Sequence, residues 1–509
     1  MVSTMTSVEK VKIPEGYKQT EVGVIPEDWR IHEFGELVNY IKGYPFKSSE
    51  YTNDGIRVIR VSDTTRDSIA DKNAVFVTSN SSIKYKKWKL KESDLIFTTV
   101  GSKPPMYDSL VGKAIFVTAA YDGSLLNQNA VLIRSKNGAS YFQRLLLGHF
   151  RTERYIDHIE LIFRGNANQA SITLGNLFEF KLPIPREIEE QTAIANALSD
   201  VDNLIASLET LIAKKSAIKT AAMQQLLTGK KRLPAFVKES EKQSAKQSSK
   251  LDSTSETAQA AQTKQTSTLN SDLYKESGEG LDSKSNQYSE VGNANNKQTA
   301  PRHGYKQTEL GEIPEDWEVR TIGDAALIDP ENLGASTAPD YEFNYISLEQ
   351  VSFGSLLGTN KMNYRNAPSR ARRMVKKGDV LVATVRPNLM SHYVQKRECV
   401  DLICSTGFSV VRPDALVSCD EFLFYHFFAG IINSQIEMLI SGSNYPAINS
   451  RDVRGLKVTL PPLKEQTAIA NVLSDMDTEL DALQQRLSKT QKIKQGMMQE
   501  LLTGKTRLV

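Results

Sequence analysis

Few side chains in this chain are placed to do covalent chemistry. Lys103-Pro104-Pro105-Met106-Tyr107 has a Pro-Pro frame in which a leading Asp, Asn or Ser accepts a hydrogen bond from a target amine. Its leading residue is Lys, which has no acceptor, and no glycine-rich cofactor loop follows a strand pattern anywhere. Gly504-Lys505-Thr506 ends like a phosphate-binding loop, but the upstream glycine position holds Gln499, and the run closes a helical pattern instead of opening one. Asp340 and Glu342 lack a lysine at short spacing for nuclease work, and the 6 histidines are scattered, so no catalytic and no metal site is expected.

The residues that remain suit nucleic acid. A basic stretch precedes a central strand pattern in two places: Lys84, Lys86, Lys87, Lys89 and Lys91, interleaved with Tyr85 and Trp88, and Arg370, Arg372, Arg373, Lys376 and Lys377. A solvated cationic face and a phosphate-binding face both fit such a run. Its recurrence at one place in two divergent segments favours phosphate. Polar loops follow: Thr99, Ser102 and Lys103 in the first segment, Thr384, Arg386, Asn388 and His392 in the second. A further pair lies downstream, with Arg164, Asn166, Asn168 and Gln169 against Ser443, Asn444 and Tyr445. Arg, Asn and Gln can each make bidentate contacts to base edges. The loops differ between the segments, which fits two readers of different sequence and fits neutral drift equally well.

These segments are the variable middles of an internal repeat. Gln191 to Leu233 returns ungapped at Gln466 to Leu508, and Tyr17 to Trp29 returns at Tyr305 to Trp317. Such self-similarity fixes the architecture. Each downstream copy carries apolar residues at alternating steps of four and three: Ile194, Leu198, Val201, Ile205, Leu208 and Ile212, then Ile469, Leu473, Met476, Leu480, Leu483 and Leu487. That is a coiled-coil seam. Prolines and acidic residues precede each copy and Gly229 and Gly504 follow, as helix starts and stops require. About 37 residues at 1.5 Å give a rod of roughly 55 Å. A narrow seam needs a partner. The other copy is the simplest one, and each helix's own globular neighbour is the alternative.

Short strand patterns recur in both middles: Val58 to Val61 with Tyr345 to Leu348, Asp94 to Thr98 with Asp379 to Ala383, and Val131 to Arg134 with Val410 to Arg412. A helical stretch follows each set, Tyr141 to Ile159 and Phe422 to Ile440. The expected division is a tail at 1–16, a mixed globule at 17–183, a helix at 184–233, a polar linker at 234–304, a second globule at 305–460 and a second helix at 461–509. The linker is rich in Ser, Lys, Gln, Thr and Asn, a composition too polar to bury a core, so disorder is expected there. The 509 residues exceed one core, and a net charge of +3 places any nucleic-acid binding in local clusters. The 3 cysteines are too sparse for a disulfide framework and suit a reducing cytoplasm. Apolar runs fall short of membrane-spanning length, and the first residues lack a signal-peptide core.

Pro461-Pro462-Leu463-Lys464-Glu465-Gln466, the run Ile469-Ala470-Asn471-Val472-Leu473-Ser474-Asp475-Met476-Asp477, the two Ile-Pro-Glu-Asp-Trp starts and the two Leu-Leu-Thr-Gly-Lys-x-Arg-Leu ends resemble the signature of Type I restriction–modification specificity subunits. The first copy departs from it at Ile184 to Gln191, and the long polar linker is unlike the short central connection of that family. The resemblance implies an α+β chain with a pseudo-twofold internal repeat: two mixed α/β target recognition domains separated by two long antiparallel coiled-coil helices. Each recognition domain would read one half of a bipartite double-stranded DNA site, and the helix pair would set the spacer. It also implies a non-catalytic subunit that holds two methyltransferase subunits and restriction subunits. S-adenosylmethionine, ATP and Mg²⁺ would then belong to those partners, with no cofactor in this chain. A self-sufficient enzyme and a coiled-coil scaffold without sequence reading are the competing classes.

Overall fold

The structure is a computed structural model that describes residues 13–104, 106–166, 169–237, 301–440 and 446–508. The expected linker falls almost wholly outside the described residues, as does most of the expected tail. The chain forms two compact units, Met1–Thr210 with Gln485–Val509, and Leu211–Gln484.

Two helices of 39 residues, Ile188–Leu226 and Leu463–Leu501, supply both units. The first carries Glu189 and Glu190 in its first turn and the second Glu465, where carboxylates meet the positive end of the helix dipole. All twelve predicted seam residues are buried or half-buried. In the first unit Ile194, Ala195 and Leu198 share a core with Met498, Leu501 and Leu502. In the second, Ala222, Met223, Leu226 and Leu227 share one with Ile469, Ala470 and Leu473. The start of each helix therefore packs on the end of the other, which is antiparallel pairing. The globule cores join the same clusters through Phe142, Leu145 and Leu146 and through Phe422, Leu423 and Phe427. Both partners weighed for the seam thus contribute to it. Where apolar residues run out, charges take over: Lys215 pairs with Glu479 at 2.7 Å, Lys494 with Asp202 at 2.6 Å, and Lys219 with Asp477. The last two pairs are repeat equivalents of each other.

The repeated short motifs find their purpose at the helix ends. The Trp317 indole donates to the buried Glu465 carboxylate at 3.1 Å. Arg232 holds the same carboxylate at 3.0 and 2.6 Å and Asp316 at 3.0 Å through both arms of its guanidinium. In the first unit the Trp29 indole donates to Glu190 at 3.2 Å, and Arg507 bridges Glu190 and Asp28. Each clasp thus joins the tryptophan and helix-start glutamate of one repeat to the arginine of the other. The planar guanidinium is the side chain suited to bridge two carboxylates in this way. Gly229 and Gly504, at φ +69° and +70°, end the helices. A Cβ there would lie 2.4 Å from Pro314 Cδ and 2.5 Å from Pro26 Cδ, so glycine also admits the motif proline. Burial alone would lower the Arg232 pKa, and its hydrogen bonds to Glu465 and Asp316 more than reverse that, so it stays charged.

Each globule is built on a four-stranded antiparallel sheet. In the first unit the order is Val38–Lys42, Ala130–Ser135, Leu95–Thr98, Ala114–Phe116, and in the second Ala326–Ile328, Phe408–Pro413, Val380–Ala383, Tyr393–Val394. The central strands Leu95–Thr98 and Val380–Ala383 are buried at every position, as continuous apolar runs require. A second sheet in each unit contains one parallel pair, Ile56–Ile59 with Leu125–Leu126 and Glu342–Ile346 with Leu402–Ser405. The single helical stretch expected in each globule is two helices: Ser140–His149 with Glu153–Ile162, and Asp420–His426 with Gly430–Leu439. In the first unit Thr152 caps the second helix by accepting from the Tyr155 N–H, a local bond that interrupts one helix to begin another.

Leu473 is fully buried in the second unit's core, so Leu473→Ala should cost about 2–5 kcal/mol. Exposed Leu204→Ala should stay within about 0.5 kcal/mol. Denaturant titration separates the two, and equal effects would contradict the seam. Arg232→Ala strands the buried Glu465 and should cost about 3–5 kcal/mol. Arg507→Ala, in the more exposed clasp, should cost less.

Candidate nucleic-acid interface

In each unit the end of the central strand and the segment after the globule's second helix are distant in sequence and joined in space. In the first unit the central strand Leu95–Thr98 runs on into Val100–Gly101, which pairs with Gln169–Ser171 in the register Ala170↔Gly101 and Ser171↔Val100. Gln169–Ser171 pairs in turn with Arg164–Asn166. A Cβ on Gly101 would lie 2.3 Å from the Ser109 carbonyl oxygen, so only glycine lets the loop close. In the second unit Val385 bridges Ala447, and the Arg386 N–H donates to the Pro446 carbonyl at 2.8 Å. One contact is common to both: the Ile172 N–H donates to Thr99 O at 3.1 Å, and the Ile448 N–H donates to Thr384 O at 2.9 Å. The end of the central strand and the segment after the second short helix therefore form one surface in each globule.

Lys103, Arg164, Arg386 and Asn388 are exposed on that surface. Asn166 and Gln169 contribute backbone to its hairpin. Thr99 is half-buried, its hydroxyl donating to Asn129 O at 2.9 Å. Asn168, Ser443, Asn444 and Tyr445 lie outside the described residues. Three predicted readers need correction. Ser102 is buried and accepts from the Ser109 hydroxyl at 2.8 Å. Thr384 is buried and donates to Gly407 O at 2.8 Å. His392 is fully buried, accepts the Ala383 N–H at 3.1 Å, and packs near Phe427 and Phe428. These three shape the loop from beneath.

The basic stretches divide similarly. Lys84, Lys86, Lys87, Lys89 and Lys91 are all exposed. They ride on aromatic neighbours: Lys84 lies 4.9 Å from the Tyr85 ring centre and Lys87 6.0 Å from that of Trp88. The Trp88 indole donates to Lys42 O at 2.9 Å and the Tyr85 hydroxyl to Glu50 at 2.5 Å, which anchors the run. In the second unit Arg370 is exposed and Arg372 lies over Tyr364 at 4.8 Å. Lys376 pairs with Glu331 at 2.6 Å and Lys377 with Glu398 at 3.0 Å, both at the surface. Arg373 is the correction here. It is half-buried, paired with Asp329 at 2.9 Å and bonded to Ser450 at 3.1 Å, so its charge is spent inside the globule.

Sequence reasoning missed a third element beside each surface, a small hairpin spanning 64–69 and 351–356. In the first unit Thr64 bridges Ile69; in the second Val351–Ser352 pairs with Ser355–Leu356. Strands of one or two residues leave no periodicity. The Phe353-Gly354 dipeptide was the available signal, because glycine marks a turn. Among the described residues no group of three or more His, Cys, Asp or Glu side chains could hold a metal ion, and no helix is long and apolar enough to cross a membrane.

Known proteins resemble this chain along nearly its whole length. The family model described as Type I restriction modification DNA specificity domain matches twice, over residues 26–216 and 314–495. A protein assigned as the MjaX specificity subunit of a type I restriction enzyme in Methanocaldococcus jannaschii is 24% identical over 503 residues, covering 97% of each chain. The MjaVIII specificity subunit of the same organism is 21% identical over 519 residues, covering 97% of this chain and 96% of its own. Among solved structures, the S subunit of a Type-I restriction-modification system from M. genitalium matches with a TM-score of 0.52 at 13% identity. It covers 93% of this chain and 96% of that one, a likeness of fold.

Burial lowers the His392 pKa to about 3, so the ring is neutral in the folded chain and is protonated more readily once unfolded. Its contribution is full above the unfolded value near 6.5 and is lost as pH falls from there towards 3. His392→Gln should therefore flatten the loss of stability between pH 6.5 and 4, measured by denaturant titration across pH. An unchanged slope would contradict the burial.

Proposed function

Because the chain belongs to the family of the Type I restriction modification DNA specificity domain, we propose that each globule reads one half of a bipartite DNA site. It is a specificity subunit with two DNA specificity domains. The reading domains are proposed to span 17–183 and 305–460, and the helices 184–233 and 461–509, with the polar segment 234–304 as their connection. The helix pair sets the spacer and docks two methyltransferase subunits, and restriction subunits join that complex. Catalysis, and with it S-adenosylmethionine, ATP and Mg²⁺, resides on those partners. The cytoplasm, where the DNA is, is the proposed location.

One observation carries this reading. In both units the end of the central strand is stitched to the same downstream segment by equivalent backbone bonds, yet the exposed side chains described there differ, Lys103 and Arg164 against Arg386 and Asn388. A shared scaffold with different readers is what two half-sites require. The exposed lysines at 84–91 supply sequence-independent affinity for phosphate, and the loop side chains supply discrimination.

Replacing residues 17–183 with the corresponding domain of another specificity subunit should change one half of the methylated motif. Sequencing of methylated adenine in a host that carries the methyltransferase partner reads this directly; a change in both halves, or in neither, would refute the proposal. Lys86→Ala and Lys91→Ala should each weaken binding to all duplexes alike, and each should shrink the slope of log affinity against log salt by about 0.9. Arg373→Ala should lower the melting temperature instead.

A further inference from the structure

The hairpins missed by the sequence occupy equivalent places. Each follows a 3₁₀ turn, Val61–Asp63 or Leu348–Gln350, closed in the same way. The Asp63 carboxylate accepts from the Arg60 N–H at 3.0 Å, and the Gln350 side chain accepts from the Ser347 N–H at 2.8 Å. The tips are then Arg66-Asp67 in one unit and Phe353-Gly354 in the other.

Both tips are fastened at two points by different chemistry. Asp67 lies 3.5 Å from the Arg151 guanidinium. Phe353 packs edge-on against Phe428, ring centres 5.2 Å apart. Arg151 and Phe428 are themselves equivalent, since each follows a buried His-Phe pair, His149-Phe150 or His426-Phe427. An ion pair thus fastens the tip in one half and an aromatic pair in the other, from neighbouring tip positions, since Arg66 corresponds to Phe353 and Asp67 to Gly354. The second fastening reaches the base-reading loop. Arg66 lies over the Tyr107 ring at 5.3 Å, and the Gly354 N–H donates to His392 O at 3.0 Å.

Fastened in this way, each tip turns one large side chain outward. The Arg66 side chain is 66% exposed and Phe353 is 65% exposed. Phe353 sits at φ +39° and Gly354 at φ +89°, a two-residue turn that favours Asn-Gly. A bulky residue in the left-handed region is strained, and an aromatic ring in water is unfavourable as well. The edge contact with Phe428 leaves most of the ring in water, and that exposed part is available to something outside the globule.

We infer that the hairpin tip is a third base-contacting element of each recognition domain, with Arg66 and Phe353 as specificity-determining residues. This rests on the reading of the chain as a DNA specificity subunit. The Arg66 guanidinium, oriented by Tyr107, matches the paired acceptors of guanine in the major groove. Phe353 offers only apolar surface, which suits a thymine methyl group. The two halves therefore use opposite chemistry at one structural position.

The test uses the full chain in complex with its methyltransferase partner. The probes are the duplex bearing the motif found by adenine-methylation sequencing and an unrelated duplex of equal length. Arg66→Ala should relax the motif at one base pair of the first half-site and weaken binding of the specific duplex at least tenfold, with the unrelated duplex changed less than twofold. Phe353→Asn should do the same in the second half-site alone. Since Asn suits the turn better than Phe, its melting temperature should hold or rise. A bipartite wild-type motif that both variants keep, at wild-type affinity, overturns this inference and leaves the specificity reading intact. Equal loss on both duplexes, or a lower melting temperature for Phe353→Asn, overturns it too. A wild-type complex that yields no bipartite motif overturns the specificity reading first.

Discussion

Neither repeat completes itself. The helix-start glutamate of each, Glu190 or Glu465, is fully buried, and a buried carboxylate persists only with donors around it. One donor, the motif tryptophan, comes from the same repeat, and the decisive one, Arg507 or Arg232, comes from the other. The seam imposes the same condition over a greater length, because each apolar face is covered by the end of the other repeat's helix. The compact units accordingly do not follow the repeat boundaries: Gln485–Val509 belongs with Met1–Thr210.

This constraint accounts for the distribution of sameness along the chain. The near-identical stretches are those that meet across repeats, where a change on one side demands a change on the other. Pro26 against Gly504 and Pro314 against Gly229 leave no room for a side chain. The globule loops face no such demand, so they are free to differ while their backbone stitching is kept. The hairpin tips show the limit of that freedom, since each stays fastened to the residue after its His-Phe pair, Asp67 to Arg151 in one half and Phe353 to Phe428 in the other.

The long helices were legible because their period is local: a four-three apolar rhythm names the buried face without knowledge of the partner. The central strands were legible as continuous apolar runs. What the loops do together was not, because Val100 meets Ser171 through backbone bonds that no side-chain pattern encodes. His392 and Thr384 read as exposed polar residues, yet His and Thr are chemically able to sit inside when one backbone group accepts or donates. Arg373 read as one cation among five, and its commitment to Asp329, 44 residues upstream, became visible only in the fold. The Trp, Asp and Arg of the short motifs were visible as repeats, but their shared clasp was not.

The repeats hold each other through seam and clasp. A protease site inserted between residues 238 and 300 allows this to be tested on the intact fold. After cleavage, gel filtration under native conditions should show both fragments in one peak with the melting temperature of the uncut chain. Two separate, folded fragments would contradict the account.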